Sequence, residues 1–261
     1  MRALVKSRGA AVLLLLFCTA EMALSFAVQL TSGRLCAYVS YSAVVLAFLF
    51  CLSGVPMRLG ADKGITAGLA FTLAADMCLV VMDPIAPVPA MLFFNGTQLS
   101  YGYALWRSRR TVSSARLHII LRAAVMLGGA LVTVAVLGKG TDLLSVISVA
   151  YYASLLLNLV LASVEAVGAL RALSRGSCPD ARHRAVFFSV LAVGLLCFAL
   201  CDVFVGLDNL KMYFDITKGS LIWRLTHTGL NMAWVFYVPS QTLIAIAGRE
   251  GSAGSLRDGA A

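Results

Sequence analysis

Charge is what this chain has little of: 13% of its 261 residues are charged, against 60% hydrophobic. That excludes a globular protein with a charged, solvated surface, and no polar stretch remains from which a soluble domain could be built. Acids are scarcer than bases, 12 Asp and Glu against 21 Lys and Arg. The net charge of +9 would suit nucleic acid, but the bases gather at the ends of apolar blocks, so membrane orientation explains them and no nucleic-acid partner is expected. Histidine is nearly missing. His118, His183 and His227 fall at block ends on opposite sides and cannot converge on a catalytic zinc, which typically takes three protein ligands; neither a metal nor another cofactor is expected. The seven cysteines, all but Cys178 within or at the start of apolar blocks, read as small hydrophobes rather than as a disulfide framework.

What is present is a series of apolar blocks of the length needed to cross hydrocarbon. Eight can be drawn, at 10–30, 35–54, 64–82, 88–106, 117–137, 143–170, 185–206 and 227–247. The expectation is an all-α, polytopic membrane bundle of about eight transmembrane helices, an integral membrane protein with lipid as its surroundings. It forms one domain over 1–248, followed by a disordered tail over 249–261. The first block resembles a signal peptide but continues to Leu30, so a retained anchor is favoured. Fifteen Lys and Arg fall on the side of the two termini and five on the other, which places both termini in the cytoplasm, and the membrane is the cell membrane if the source is bacterial.

Against that apolar background a buried acid stands out, because a charge at the bilayer centre costs roughly 2.5 to 3.5 kcal/mol even on a mild scale. Asp76 lies halfway along the third block, and steps of four back from it reach Thr72, Gly68 and Gly64, a face of small residues that a neighbouring helix can approach closely. Pro84, Pro87 and Pro89 turn the chain back, so the fourth block runs beside the third. That block presents Asn95, Gln98 and Gly102 in one arc with Tyr101 beside them, a hydrogen-bonding surface expected to face the carboxylate. The sequon Asn95-Gly96-Thr97 sits inside an apolar helix and is accidental.

Asp202 in the seventh block repeats the arrangement of Asp76, with Gly194 and Gly206 on its face and a similar depth in the membrane. In the eighth block Trp234, Tyr237 and Gln241 follow one another at steps of three and four, and Pro239 interrupts the helical ladder beside them. Glu21 is a third acid near the site or else a packing contact between helices, while Glu165, on a seven-residue stripe with Tyr151 and Asn158, reaches the cytoplasmic interface. The fifth block, with Gly128 and Gly129 and no acid, reads as structural.

With those residues in view, the chain resembles the YhhN-like integral membrane proteins, which include the lysoplasmalogenases. The resemblance rests on Asp76 followed by Phe94-Asn95-Gly96 and Gln98-x-x-Tyr101, on Phe198 to Asp202, and on Trp234-x-x-Tyr237-x-x-x-Gln241. Ala75 stands where the family usually has Gly, and Gln98 where it commonly has His; a glutamine hydrogen-bonds but carries no proton at physiological pH. The resemblance implies hydrolysis of the vinyl ether of a 1-alkenyl lysophospholipid. For that reaction the residues themselves offer Asp76 and Asp202 as the catalytic pair, with Asn95, Gln98, Tyr101, Tyr237 and Gln241 to orient them, the water or the substrate.

Two membrane carboxyls suit that chemistry, because a vinyl ether needs a proton at carbon and then a water. A protonated carboxyl supplies the first and an ionised one activates the second. The alternative is a small proton-coupled or ion-coupled transporter, since intramembrane acids also mark ion pathways.

Overall fold

The computed structural model describes residues 8–53, 62–82, 84–108, 115–176, 181–209 and 213–258. Among them there are eight α-helices and no strand: α1 (Arg8–Leu30), α2 (Gly33–Leu52), α3 (Lys63–Asp76), α4 (Pro87–Arg107), α5 (Ala115–Leu137), α6 (Leu143–Ser174), α7 (Ala181–Asn209) and α8 (Leu221–Asp258). Each matches one apolar block of the sequence. Among the described residues six are long and apolar enough to cross a membrane, α3 only together with the turn that carries it on to Val81; α4 and α8 are not among them, and in α4 Asn95, Thr97 and Gln98 dilute the apolar character.

Local chemistry sets the helix ends. Asp62 caps α3 by accepting from the backbone N–H of Gly64 at 2.9 Å and of Ile65 at 3.1 Å, and its own N–H donates to the Gly248 carbonyl of α8. Pro87 opens α4, where a missing N–H does no harm. Asp142 and Ser145 form a reciprocal capping box at the start of α6, and the N–H donated by Ser145 holds the Asp142 carboxyl below the usual carboxylate range.

α8 is the hub, packing against α1, α2, α3 and α7, while α6 joins α7 to α4, and α5 lies outside against α6. Apolar residues face outward, Leu15, Phe26, Ile119, Leu127 and Leu131 among them. The buried positions include Thr72, Asp76, Thr97, Gln98, Ser154, Asn158 and Gln241. The outer surface is thus as apolar as the interior, which hydrocarbon surroundings allow and water would not. Glu165 does reach toward an end: it is half-buried and pairs with Arg184 at 3.2 Å. The six described cysteines are free, and Cys178 lies outside the described residues.

Two regions depart from the sequence reading. The third block is not one α-helix: after Asp76 the chain widens into a π-turn over Met77–Val81, with the Met82 N–H reaching back to the Met77 carbonyl. The expected disordered tail begins as structure: α8 continues to Asp258, and Arg249 is buried with its guanidinium 4.8 Å from the Phe50 ring centre. A cation over an aromatic face is attracted to it, which the composition of the segment did not reveal.

The small face of α3 does what its spacing predicts. A Cβ on Gly64 would come within 2.8 Å of the Ser100 carbonyl and 2.9 Å of Ala104 Cβ, and the Tyr101 ring lies directly on Gly68. Thr72 and Thr97 meet at 3.2 Å. The two helices are therefore antiparallel, with Asp76 level with Phe93 and Phe94. Gly64→Ala is expected to lower stability by about 1–3 kcal/mol through overpacking. Gly128→Ala, where a Cβ meets nothing within 4 Å, should leave stability unchanged; reversible unfolding in mixed micelles measures both.

Candidate functional site

Asp76 ends the regular part of α3, and the Tyr237 hydroxyl of α8 donates to its Oδ2 in a short hydrogen bond. Asp202 of α7 receives the Tyr151 hydroxyl of α6 on its Oδ2 at 2.5 Å. Each acid thus takes its donor from a neighbouring helix. Asp76 is buried and Asp202 half-buried. Phe198, one helical turn before Asp202, stands edge-on to both phenols, its centre 5.9 Å from Tyr237 and 6.5 Å from Tyr151. Phe94 closes the cluster, 5.5 Å from Tyr151 and 6.2 Å from Phe198, and Trp234 lies 5.7 Å from Tyr237. Through Phe198 the two tyrosine–carboxyl pairs belong to one cluster.

A carboxyl in apolar surroundings is costly unless its lone pairs find donors, and a hydrogen bond to a charged group contributes about 1.5–3 kcal/mol. The phenols supply those donors without adding a compensating positive charge. The π-turn begins directly after Asp76; such turns are frequent at functional sites because the extra residue re-aims neighbouring side chains. The arrangement therefore holds two carboxyls, each oriented through one oxygen, behind a wall of aromatic rings.

The other residues nominated from the sequence lie elsewhere. Asn95 donates to the Met91 carbonyl at 2.8 Å and to the Ile147 carbonyl of α6 at 3.4 Å. Gln98 accepts from Asn158 of α6 at 3.0 Å. Tyr101 is buried over Gly68, and its hydroxyl makes no hydrogen bond. Gln241 donates to Ser240 at 3.0 Å, and its carbonyl oxygen has no partner. The polar arc of α4 thus faces α6 rather than Asp76, because the face of α4 turned to α3 is occupied by Thr97, Tyr101 and Ala104. Glu21 is buried at the contact of α1 and α8, near Thr242, with neither carboxyl oxygen hydrogen-bonded.

Two residues escaped the sequence reading. Tyr151 was visible as part of a seven-residue stripe with Asn158 and Glu165, which marks a common face without saying what the face meets. Arg122, on the helix read as merely structural, is buried at 6% exposure. It donates to the Gln98 carbonyl at 3.1 Å, to Ser154 Oγ at 2.6 Å and to Asn158 Oδ1 at 2.5 Å. Its guanidinium lies against Gly102, where a Cβ would come within 2.6 Å of its Cζ. A basic residue seven positions into an apolar helix was the available signal.

Fold and site together define a class: an all-helical membrane protein with a pair of tyrosine-held carboxyls between four helices. The chain belongs to the YhhN family, whose model matches residues 35–247 and so covers both acids and both tyrosines. None of the curated proteins matches the chain, and no solved structure does.

Tyr237→Phe leaves the buried Asp76 carboxyl, and Tyr151→Phe the half-buried Asp202 carboxyl, without its donor. Each is expected to lower the unfolding free energy by about 1–3 kcal/mol. Tyr103→Phe, at an exposed ring, is the control and should change little in the same micellar unfolding assay.

Proposed function

We propose that this protein is a membrane-embedded hydrolase of the lysoplasmalogenase type, cleaving the vinyl ether of 1-alkenyl lysophospholipids with Asp76 and Asp202 as the catalytic pair. The observation that carries the reading is a pair of sequence-distant carboxyls, each held through one oxygen by a phenol and each left with a second oxygen, with both phenols standing against the one Phe198 ring. Membership of the YhhN family supports it further.

In this mechanism the protonated carboxyl of the pair delivers its proton to the vinyl carbon remote from oxygen, and the electron pair of the double bond forms the new C–H bond. An oxocarbenium cation results, next to the carboxylate now formed. The other, ionised carboxyl takes a proton from water as the water oxygen bonds to the cationic carbon, giving a hemiacetal. That proton passes to the glycerol oxygen as the C–O bond breaks, while the hemiacetal hydroxyl returns its own proton to the first carboxylate. One water is consumed, and the products are a fatty aldehyde and a glycerophospho alcohol. Two negative carboxylates flank the cation at its most charged moment, which favours the transition state over the neutral ether. Tyr151 and Tyr237 act as positioning residues, fixing which oxygen of each acid faces the substrate.

Orientation follows from the bases: we place both termini, with Arg107, Arg171 and Arg184, in the cytoplasm and the two acids in the outer half of the bilayer.

Purified protein given a 1-alkenyl lysophospholipid should release fatty aldehyde. Asp76→Asn and Asp202→Asn should each slow release by about 100-fold or more while leaving the protein folded. In heavy water the aldehyde should carry one deuterium on the carbon next to the carbonyl. Normal turnover by either variant removes that residue from the mechanism, and solute flux through proteoliposomes without lipid cleavage would point to a carrier instead.

A further inference from the structure

The cluster around Arg122 has more donors than acceptors. Arginine carries five N–H donors and no acceptor, and Arg122 makes three hydrogen bonds, all to neutral oxygens of Gln98, Ser154 and Asn158. Among the described residues no carboxylate lies within ion-pair distance of it. Asn158 fixes the orientation of its neighbour. Its Oδ1 is taken by Arg122, so its Nδ2 faces Gln98 and donates to both the backbone carbonyl, at 2.8 Å, and Oε1, at 3.0 Å. Gln98 must therefore turn its oxygen to Asn158, which leaves Nε2, a donor on a side chain with no exposed surface, without any partner. A buried cation whose partners are all neutral oxygens, beside an amide with an unused donor, is an arrangement that favours an anion.

We propose that Arg122 and the Gln98 amide, held in place by Asn158 and Ser154, bind a phosphate oxyanion. On the reading of the substrate given above, that oxyanion is the headgroup phosphate of the lysophospholipid. A planar guanidinium with free N–H groups is the side chain best matched to phosphate oxygens. The position fits as well. Asn158 lies two turns along α6 from Tyr151, about 10 Å at the rise of an α-helix. Phosphate at Arg122 and ether at the acids thus follow one line of the bundle, in the order in which a lysophospholipid carries them. Gly102 belongs to the device, since any side chain there would displace the guanidinium.

The test uses the full-length protein and two uncleavable probes: a lysophospholipid with a saturated 1-alkyl ether, and the 1-alkylglycerol of the same chain, which has no phosphate. Affinities are read from the dependence of the unfolding midpoint on probe concentration. Wild-type protein is expected to bind the phosphate-bearing probe at least about tenfold more tightly than the alkylglycerol. Gln98→Glu keeps the oxygen that Asn158 needs and sets a carboxylate beside Arg122 in place of the spare donor. It should abolish that preference while retaining alkylglycerol binding, which also reports that the variant is folded. Inorganic phosphate serves as competitor: displacement of the phosphate-bearing probe assigns the site to the free anion as well, and no displacement assigns it to the lipid headgroup alone. Equal affinity of the two probes for wild-type protein, or a preference that survives in Gln98→Glu, overturns the proposal. Aldehyde release is assayed separately. Phosphate preference without release upholds this site and removes the hydrolase, and release without preference does the reverse.

Discussion

The structure depends on the cost of placing a carboxyl in hydrocarbon. Nothing in a bilayer core offers a lone pair a partner, so an ionised acid there is costly unless a donor is supplied by a neighbouring helix. Tyr237 supplies one to Asp76 and Tyr151 one to Asp202. Because each pair spans two helices, the requirement is also an instruction for assembly: α3 must meet α8, and α6 must meet α7, in the register that brings phenol to carboxyl.

Close approach makes that register attainable. Gly64 and Gly68 let α4 lie against α3, and Gly194 lets α7 lie against α8, where a Cβ would already be 3.0 Å from Ile244. In a membrane no hydrophobic force drives helices together, so such contacts and the interhelical hydrogen bonds carry the association. Phe198 then keeps the two phenols apart while holding both at ring-contact distance. The second polar cluster obeys the same rule with the sign reversed: Arg122 is a buried cation surrounded by carbonyl, hydroxyl and amide oxygens.

How much could be read in advance depended on whether a feature was local to one helix. The blocks, the small face of α3 and the choice of Asp76, Asp202 and Tyr237 follow from length and from steps of four. Each of these is a property of a single segment. The polar arc of Asn95 and Gln98 fits either of two flanking helices, and only the three-dimensional register decides that it faces α6. The stripe of Tyr151 likewise marks a face without naming the partner that meets it. Arg122 sits in an apolar helix with no acid near it in sequence, and only the fold shows that it is buried. The π-turn after Asp76 has no composition of its own, since Met77–Val81 is as apolar as any helix.

The central claim is that two acids, 126 positions apart in the chain, work as one unit. The most direct measurement is the rate of aldehyde release by the Asp76→Asn/Asp202→Asn double variant, set beside the two single variants and the background rate. Groups that act together lose nearly everything when either is removed, so the account predicts that the double variant is no slower than the slower single one. Losses that multiply, with the double variant slower by the product of the two separate effects, would mean that the carboxyls act independently and would contradict it.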